Sequence, residues 1–239
     1  MSTASPTAES PVARRRDGIP PLENGDRLTR AEFERRYEAM PDLRKAELIE
    51  GVVYMPSPVR LRRHGEPHSL VIGWLATYKA RTPGLILGDN VTVRLDLDNE
   101  PQPDALLLVD PARGGQAGIS DDDYVEGAPE LIAEIAASSA SYDLNAKLHV
   151  YRRNGVREYV VWQVLEEKLC WFVLRQGQYE EQPLDGGLLR SEVFPGLWLD
   201  PEAMARRGDL ATVLDTLQKG IATPEHAAFV ERLVSSRSG

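Results

Sequence analysis

Two acidic residues and a lysine stand in segments where an apolar or purely structural side chain is expected. Asp104 directly precedes the apolar run 105–109, Glu134 interrupts the apolar run 131–137, and Lys147 follows within the next helical segment. Two carboxylates can hold one Mg²⁺, which prefers hard oxygen ligands and keeps several of its waters. A bound water then attacks a phosphodiester, and a neighbouring ammonium orients that water or offsets phosphate charge. These residue types together predict phosphodiester hydrolysis.

The two acids differ in how far their position argues for chemistry. Asp104 follows Pro103, which cannot join a central ladder and therefore marks the beginning of a strand. Asp104 is either at the mouth of a buried strand, where binding sites of open sheets form, or a turn-capping residue. Glu134 has apolar same-face neighbours, Ile132 and Ala136, so a solvated strand face does not explain it.

Lys147 has two interpretations that the spacing alone leaves open. Asp143, Lys147 and Tyr151 are spaced by four residues and share one helix face, so Lys147 could simply pair with Asp143 at the surface. Alternatively, the chain turns after Glu134 and the helix folds back over the strand. At about 3.3 Å per strand residue and about 1.5 Å per helix residue, Lys147 then returns to within reach of Glu134.

The elements that must position these residues follow from hydrophobic periodicity. Capping residues and prolines predict helices that begin near Thr29, Pro67, Ser141 or Asp143, Pro201 and Pro224. Apolar and β-branched runs predict strands over 46–55 (two short strands), 85–97, 105–109, 131–137, 158–164 and 169–174. This order predicts a mixed α/β fold, with a central mixed sheet flanked by helices. We expect a disordered tail over residues 1–27, one domain over 28–200, and a helical extension over 201–239.

Composition limits the partners. The chain has 28 Lys and Arg against 37 Asp and Glu, a net charge of −9, which disfavours non-specific coating of nucleic acid. A local basic groove is still compatible with it, and the loop carrying Arg60, Arg62 and Arg63, with Arg152 on the later helix, predicts phosphate contacts. No apolar run is long enough to cross a membrane, so we expect no membrane partner. The single cysteine, Cys170, suits a reducing cytoplasm.

Several ordered motifs resemble a known family. They are Glu47-Leu48-Ile49-Glu50-Gly51, His68 at a helix start, Pro103-Asp104, the run 129–135 around Glu134, and Asp143…Lys147…Tyr151 followed by 155–159. Over about 28–200 the chain is similar to the Uma family of restriction endonucleases, within the PD-(D/E)xK nuclease superfamily. The resemblance implies a restriction-endonuclease-like core and DNA cleavage that depends on Mg²⁺ or Mn²⁺.

The resemblance also implies roles for individual residues. Asp104 and Glu134 would be metal ligands, with Glu47 a further acidic residue near the metal. His68 would be a helix residue that faces the site, and Tyr151 would support it from the later helix. The superfamily lysine normally stands two residues after the glutamate, where this chain has Ala136, so Lys147 would replace it. A proline usual in the following turn is also absent from residues 137–140.

Three functions remain open at this point. The first is a metal-dependent DNA endonuclease, for which double-strand cleavage favours a homodimer with two sites. The second is a catalytically inactive nuclease fold used for nucleic-acid binding or assembly, which the acidic net charge and Ala136 favour. The third is a phosphohydrolase of small nucleotides, which would need a closed pocket instead of a long groove.

Overall fold

A central six-stranded sheet organises the molecule. The computed structural model describes residues 18–55, 59–137 and 139–236. The strands are β1 (Glu47–Ile49), β2 (Val52–Tyr54), β3 (Leu85–Asp89), β4 (Val93–Arg94), β5 (Ala105–Val109), β6 (Gly118–Ile119), β7 (Val125–Glu126), β8 (Leu131–Ala136), β9 (Glu158–Gln163), β10 (Lys168–Arg175), β11 (Gln178–Glu181), β12 (Leu189–Arg190) and β13 (Trp198–Leu199). The helices are α1 (Arg30–Glu38), α2 (Glu66–Arg81), α3 (Ala140–Tyr142), α4 (Leu148–Asn154), α5 (Leu210–Ile221) and α6 (Pro224–Ser235).

The central sheet has the order β11-β10-β9-β8-β5-β3. Only β8 and β9 pair in parallel within it; the other neighbours are antiparallel. The parallel pair needs a crossover, because parallel strands cannot be joined by a tight turn. The segment 140–154 supplies it as α3, a π-helical turn (Asp143–Lys147) and α4. The predicted mixed α/β fold, with a central mixed sheet flanked by helices, is therefore confirmed.

The two faces of the sheet bury different clusters, because successive side chains of a strand point to opposite faces. Ala105, Leu107, Ala133 and Ile135 belong to a first cluster that includes residues of α2, α5 and α6. The C-terminal helices thus cover the sheet, as their apolar stripes predict. Leu106, Leu108, Ile132 and Ala136 belong to a second cluster on the face covered by α4.

A third, smaller apolar cluster joins α1 to the β1–β2 hairpin. Leu22 is buried in it, and the backbone N–H of Gly25 donates to the carbonyl of Val53. Residues 18–27 therefore pack against the hairpin, although the sequence predicts a disordered tail through residue 27. Leu22 finds an apolar surface that composition alone does not reveal. Residues 1–17 of the predicted tail lie outside the described residues.

The segment predicted as one strand over 85–97 is two strands in different sheets. Asn90 has a positive φ of 53°, which ends β3 at Asp89. The chain then forms β4, which pairs in parallel with β7, and β7 pairs with β6. Pairing with these distant two-residue strands is a tertiary effect, so the local apolar pattern predicts only the extended conformation.

Candidate active site

Asp104 and Glu134 lie on the same face of the central sheet. The register pairs Ala105 with Ala133, so Asp104 and Glu134 follow at the next opposed position of the β5–β8 pair. Asp104 Oδ2 accepts a hydrogen bond of 2.8 Å from the backbone N–H of Ile135. Both side chains lie on the sheet face that carries the second apolar cluster. The arrangement on which the metal hypothesis depends, two acids meeting across neighbouring strands, is therefore present.

Lys147 reaches Glu134 from the crossover helix. Its Nζ donates to Glu134 Oε1 at 2.8 Å and to Glu47 Oε1 at 2.8 Å, and it lies 4.0 Å from Asp143 Oδ1. The lysine is 3% exposed, which excludes the simple surface pair with Asp143. Lys147 ends the π-helical turn 143–147, and single π-helical turns occur frequently at functional sites.

Glu47 and Tyr151 complete the surroundings of Lys147 and Glu134. The hydroxyl of Tyr151 donates to Glu134 Oε1 at 2.9 Å. Glu47, the first residue of β1, accepts on Oε1 both from Lys147 and from the backbone N–H of Gln102, at 2.8 Å. The second of these bonds ties β1 to the segment that leads into Asp104. Glu47 thus lies in the cluster as predicted, with Oε1 already occupied by two donors.

The cluster holds more acid than base. Glu47, Asp104, Glu134 and Asp143 are each at most 5% exposed, and Lys147 is the cation buried among them. Burial raises the pKa of Glu134 to about 8, Lys147 opposes this rise, and the neighbouring carboxylates add to it. Burial lowers the pKa of Lys147, but the surrounding carboxylates outweigh it and hold that pKa well above its usual range. A bound cation would relieve this excess of negative charge.

The pKa of Asp104 is shifted in the opposite direction to that of Glu134. Burial opposes its ionisation, but the His64 imidazole and the charge of Lys45 outweigh burial and lower the pKa of Asp104 to about 2. His64 Nε2 lies 3.3 Å and Lys45 Nζ 3.7 Å from Asp104 Oδ1. Environments that separate the pKa values of two nearby acids are a feature of acid–base sites. Asp104 is therefore an anion at neutral pH, beside a glutamate that resists ionisation.

His68 faces the site, as the family resemblance implies. Its Nε2 lies 2.9 Å from the backbone carbonyl oxygen of Asp104, within hydrogen-bonding distance, and 3.1 Å from Asp89 Oδ1. His68 therefore fixes the backbone at Asp104 instead of touching its carboxylate. His64 and Lys45, which do approach that carboxylate, have no assigned role in the sequence interpretation. Their segments are polar and surface-like in sequence, so no break in an apolar pattern marks them.

The predicted phosphate-binding arginines fall into two places. Arg60, Arg62 and Arg63 are exposed on the segment that ends at His64 and enters α2. Arg152 lies elsewhere: its Nη1 donates to the carbonyl of Gly177 at 2.9 Å, in the turn between β10 and β11. The first three thus precede His64, which contacts Asp104, along the chain, while Arg152 is engaged with a neighbouring turn.

The donor set fits a hard divalent cation at the level of ligand type. Asp104 and Glu134 offer carboxylate oxygens from adjacent strands, and these are the residues that would hold Mg²⁺ or Mn²⁺. Within residues 18–55, 59–137 and 139–236, no group of three or more His, Cys, Asp or Glu side chains is already arranged to ligate an ion. Two buried polar atoms beside the cluster, Tyr142 OH and Gln102 Oε1, also have no hydrogen-bond partner among the described residues.

The fold is shared with a protein of known structure. The chain is similar to the crystal structure of "a putative nuclease belonging to DUF820 from Anabaena variabilis ATCC 29413", determined at 1.96 Å. The match has a TM-score of 0.53 and 13% identity, and it covers 75% of this chain and 97% of that chain. At this identity the likeness shows a common fold. No curated protein matches the chain.

The family is shown by sequence. The model of the Uma2 family, described as "Putative restriction endonuclease", matches residues 30–202, more than two thirds of the chain. The chain therefore belongs to the Uma2 family. This confirms the resemblance inferred from the ordered motifs. Among the helices that the structure describes, none combines the length and the apolar character needed to cross a bilayer.

Proposed function

We propose that the protein is a DNA endonuclease that hydrolyses phosphodiester bonds with Mg²⁺ or Mn²⁺ held by Asp104 and Glu134. One observation carries the proposal: the two acids are opposed across β5 and β8 on one face, with Lys147 hydrogen-bonded to Glu134. Family membership and the fold of the nuclease neighbour support the same reading.

The residues of the site would have three roles: they bind the metal, orient the carboxylate of Glu134 and offset charge. The bound metal would supply the activated water and stabilise the charge that builds on the phosphate. Lys147 and Tyr151 donate to Glu134 Oε1 and so fix the carboxylate in one orientation. Two hydrogen bonds of Lys147 are already directed at Glu47 and Glu134, so we assign it orientation and charge offset instead of proton abstraction.

The remaining parts of the proposal concern partners. Arg60, Arg62 and Arg63 would contact DNA phosphates next to the site, and Arg152 would add a contact at the far end of α4. A homodimer would present two sites to the two strands. The lone Cys170, which is buried, suits a protein of the reducing cytoplasm.

Plasmid cleavage tests the proposal. Wild-type protein is incubated with supercoiled plasmid and Mg²⁺, in parallel with Asp104→Asn and Glu134→Gln. The exposed residue Glu166 provides a matched control, Glu166→Gln. We expect wild type and the control to cut, and both site variants to lose at least about a thousandfold in rate, because the metal that activates the water would no longer be held. Equal cutting by all four proteins would overturn the assignment.

A catalytically inactive binding module is the second candidate, and one observation favours it. Asp104 Oδ1 and Glu134 Oε1 already contact basic side chains of the protein itself, His64 and Lys45 in one case and Lys147 in the other. Such a module would bind duplex DNA without carboxylate-dependent binding of Mg²⁺. Titration calorimetry of Mn²⁺ into wild type and Asp104→Asn separates the two candidates.

A further inference from the structure

Lys45 and His64, two basic side chains that both contact Asp104, form what we call the flank of this acid. Both approach the same oxygen, Oδ1, at 3.7 Å and 3.3 Å, because Oδ2 is occupied by the backbone N–H of Ile135. The side chain of Asp104 is 6% exposed, whereas those of Lys45 and His64 are 25% and 21% exposed. The two basic side chains are therefore more accessible to solvent, and so to a ligand, than the acid that they contact.

The segments that carry Lys45 and His64 also carry other residues of the site. Lys45 stands two residues before Glu47, so one short segment sends a lysine to Asp104 and a glutamate to Lys147. His64 ends the exposed segment that carries Arg60, Arg62 and Arg63, and its ring stacks on His68 with centroids 5.8 Å apart. The arginine segment thus leads directly to Asp104.

Neither residue is held tightly where it is. The contact of Lys45 with Asp104 is longer than its 3.2 Å hydrogen bond to Asn90 Oδ1, and the His64 contact at 3.3 Å is longer than an ordinary charge-assisted hydrogen bond. A partly exposed basic side chain at such distances can exchange one anionic partner for another, and a metal ion at Asp104 would replace the positive charge that is withdrawn. A phosphate oxygen offers a negative charge like that of Asp104 Oδ1, and both basic side chains can donate to it.

We propose that Lys45 and His64 bind the backbone phosphate that is presented to Asp104, and that they exchange the Asp104 carboxylate for this phosphate when DNA enters. This proposal rests on the proposed nuclease function for the identity of the ligand, a DNA phosphodiester. It adds two phosphate-binding residues that the family motifs do not include. It also implies that DNA entry tightens metal binding at Asp104, because Oδ1 then loses two competing basic side chains.

Binding of a short duplex DNA in EDTA tests the proposal without cleavage or metal. Fluorescence anisotropy gives the affinity between about 50 and 200 mM salt for wild type, Lys45→Ala, His64→Ala and Lys45→Arg. Lys219→Ala and His149→Ala, at exposed positions, are the matched controls. We expect each alanine variant at the flank to lose about fivefold in affinity. The slope of log K against log salt should also fall by about 0.9, the value for one lost phosphate contact. Lys45→Arg and both controls should keep the wild-type slope.

Metal binding provides a second readout. Removing a cation that competes for Asp104 Oδ1 should tighten Mn²⁺ binding several-fold in Lys45→Ala and His64→Ala, while DNA binding weakens. A purely structural role would change both in the same direction. Unchanged salt slopes in the flank variants, or a wild type that binds no duplex DNA, would overturn this proposal. Failure of the proposed function would instead appear as cleavage, or metal binding, that does not depend on Asp104 and Glu134.

Discussion

Two buried glutamates, Glu134 on β8 and Glu158 on the adjacent strand β9, have opposite surroundings. Glu158 is fully buried and accepts from the hydroxyl of Ser191 and the backbone N–H groups of Glu192 and Val193. Glu134 accepts from an ammonium and a phenol and lies among other carboxylates. Neutral donors surround Glu158, while Glu134 belongs to a cluster of charges.

This difference separates a structural acid from a candidate functional one. The three donors of Glu158 tie β9 to the loop 191–193, and their hydrogen bonds partly oppose the effect of burial, which raises the pKa of Glu158 to about 7. Around Glu134 the neighbouring carboxylates add to the effect of burial. A group whose surroundings work against its charged form is costly for folding, and such groups cluster at functional sites. Burial alone therefore does not identify the site; the kind of partner does.

Among the variants, we expect Glu134→Gln to change the cleavage rate most. We expect cleavage to fall by at least about a thousandfold, because a metal ligand is lost. Stability should stay equal or rise, because the substitution removes one of several crowded carboxylates. Cleavage rate and urea denaturation, measured on the same preparation, check both parts. A large loss of stability would place Glu134 with the structural acids.

Glu158→Ala should show the reverse pattern. Three buried donors lose their acceptor, so the free energy of unfolding should fall by about 3 kcal/mol. Cleavage per folded molecule should stay near wild type. Urea denaturation, with the exposed residue Glu166 changed to alanine as the control, measures the first quantity. Loss of cleavage in fully folded Glu158→Ala would show that this acid also serves the site.

The residue pattern marks Glu134 as unusual, but it does not predict the hydrogen-bond partners of Glu158. Glu134 interrupts an apolar strand, and its apolar same-face neighbours exclude a solvated face, so the pattern itself marks the residue. Glu158 begins a strand, where a polar residue is ordinary. Its partners are a serine hydroxyl and two backbone N–H groups of a loop more than thirty residues later, and the residue types of that loop do not mark them as partners.

The same contrast explains the rest of the site. Asp104 stands directly before an apolar strand, and Lys147 and Tyr151 share one helix face at a spacing of four, so the sequence itself draws attention to these residues. Lys45 and His64 lie in polar segments where basic residues are common, so only tertiary structure brings them to Asp104. In the fold, apolar runs predict the core strands, while the short strands β4, β6 and β7 depend on pairing with each other.

A moderate effect is expected in the pH dependence of stability. Glu134 has a folded-state pKa of about 8, and an unfolded glutamate titrates at about 4.3. Between these values the folded protein holds a proton that the unfolded chain has released, so the free energy of unfolding falls as pH rises and the loss is complete above about pH 8. Glu158 contributes the same trend up to about pH 7.

Glu134→Gln removes the contribution of Glu134 to this pH dependence of the free energy of unfolding. The stability difference between the variant and wild type should therefore grow in favour of the variant as pH rises from about 5 to about 8. Urea denaturation in EDTA at several pH values measures it. A difference that stays constant over this range would show that Glu134 does not carry a raised pKa in the folded protein.

The smallest expected effects are those of the exposed arginines. Arg60→Ala, Arg62→Ala and Arg63→Ala should each weaken duplex binding by a few-fold and uniformly across sequences, because phosphate contacts carry no sequence information. Thermal stability should not change, since all three side chains are exposed. Anisotropy with two unrelated duplexes checks both points. A sequence-dependent loss would indicate base contacts instead.

A crystal soaked with Mn²⁺ shows whether Asp104 and Glu134 hold a metal ion. We expect an anomalous peak between the carboxylates of Asp104 and Glu134, with Lys147 still hydrogen-bonded to Glu134, and no such peak in crystals of Asp104→Asn. An ion bound elsewhere, or no ion at all while His64 and Lys45 stay on Asp104, would contradict this expectation.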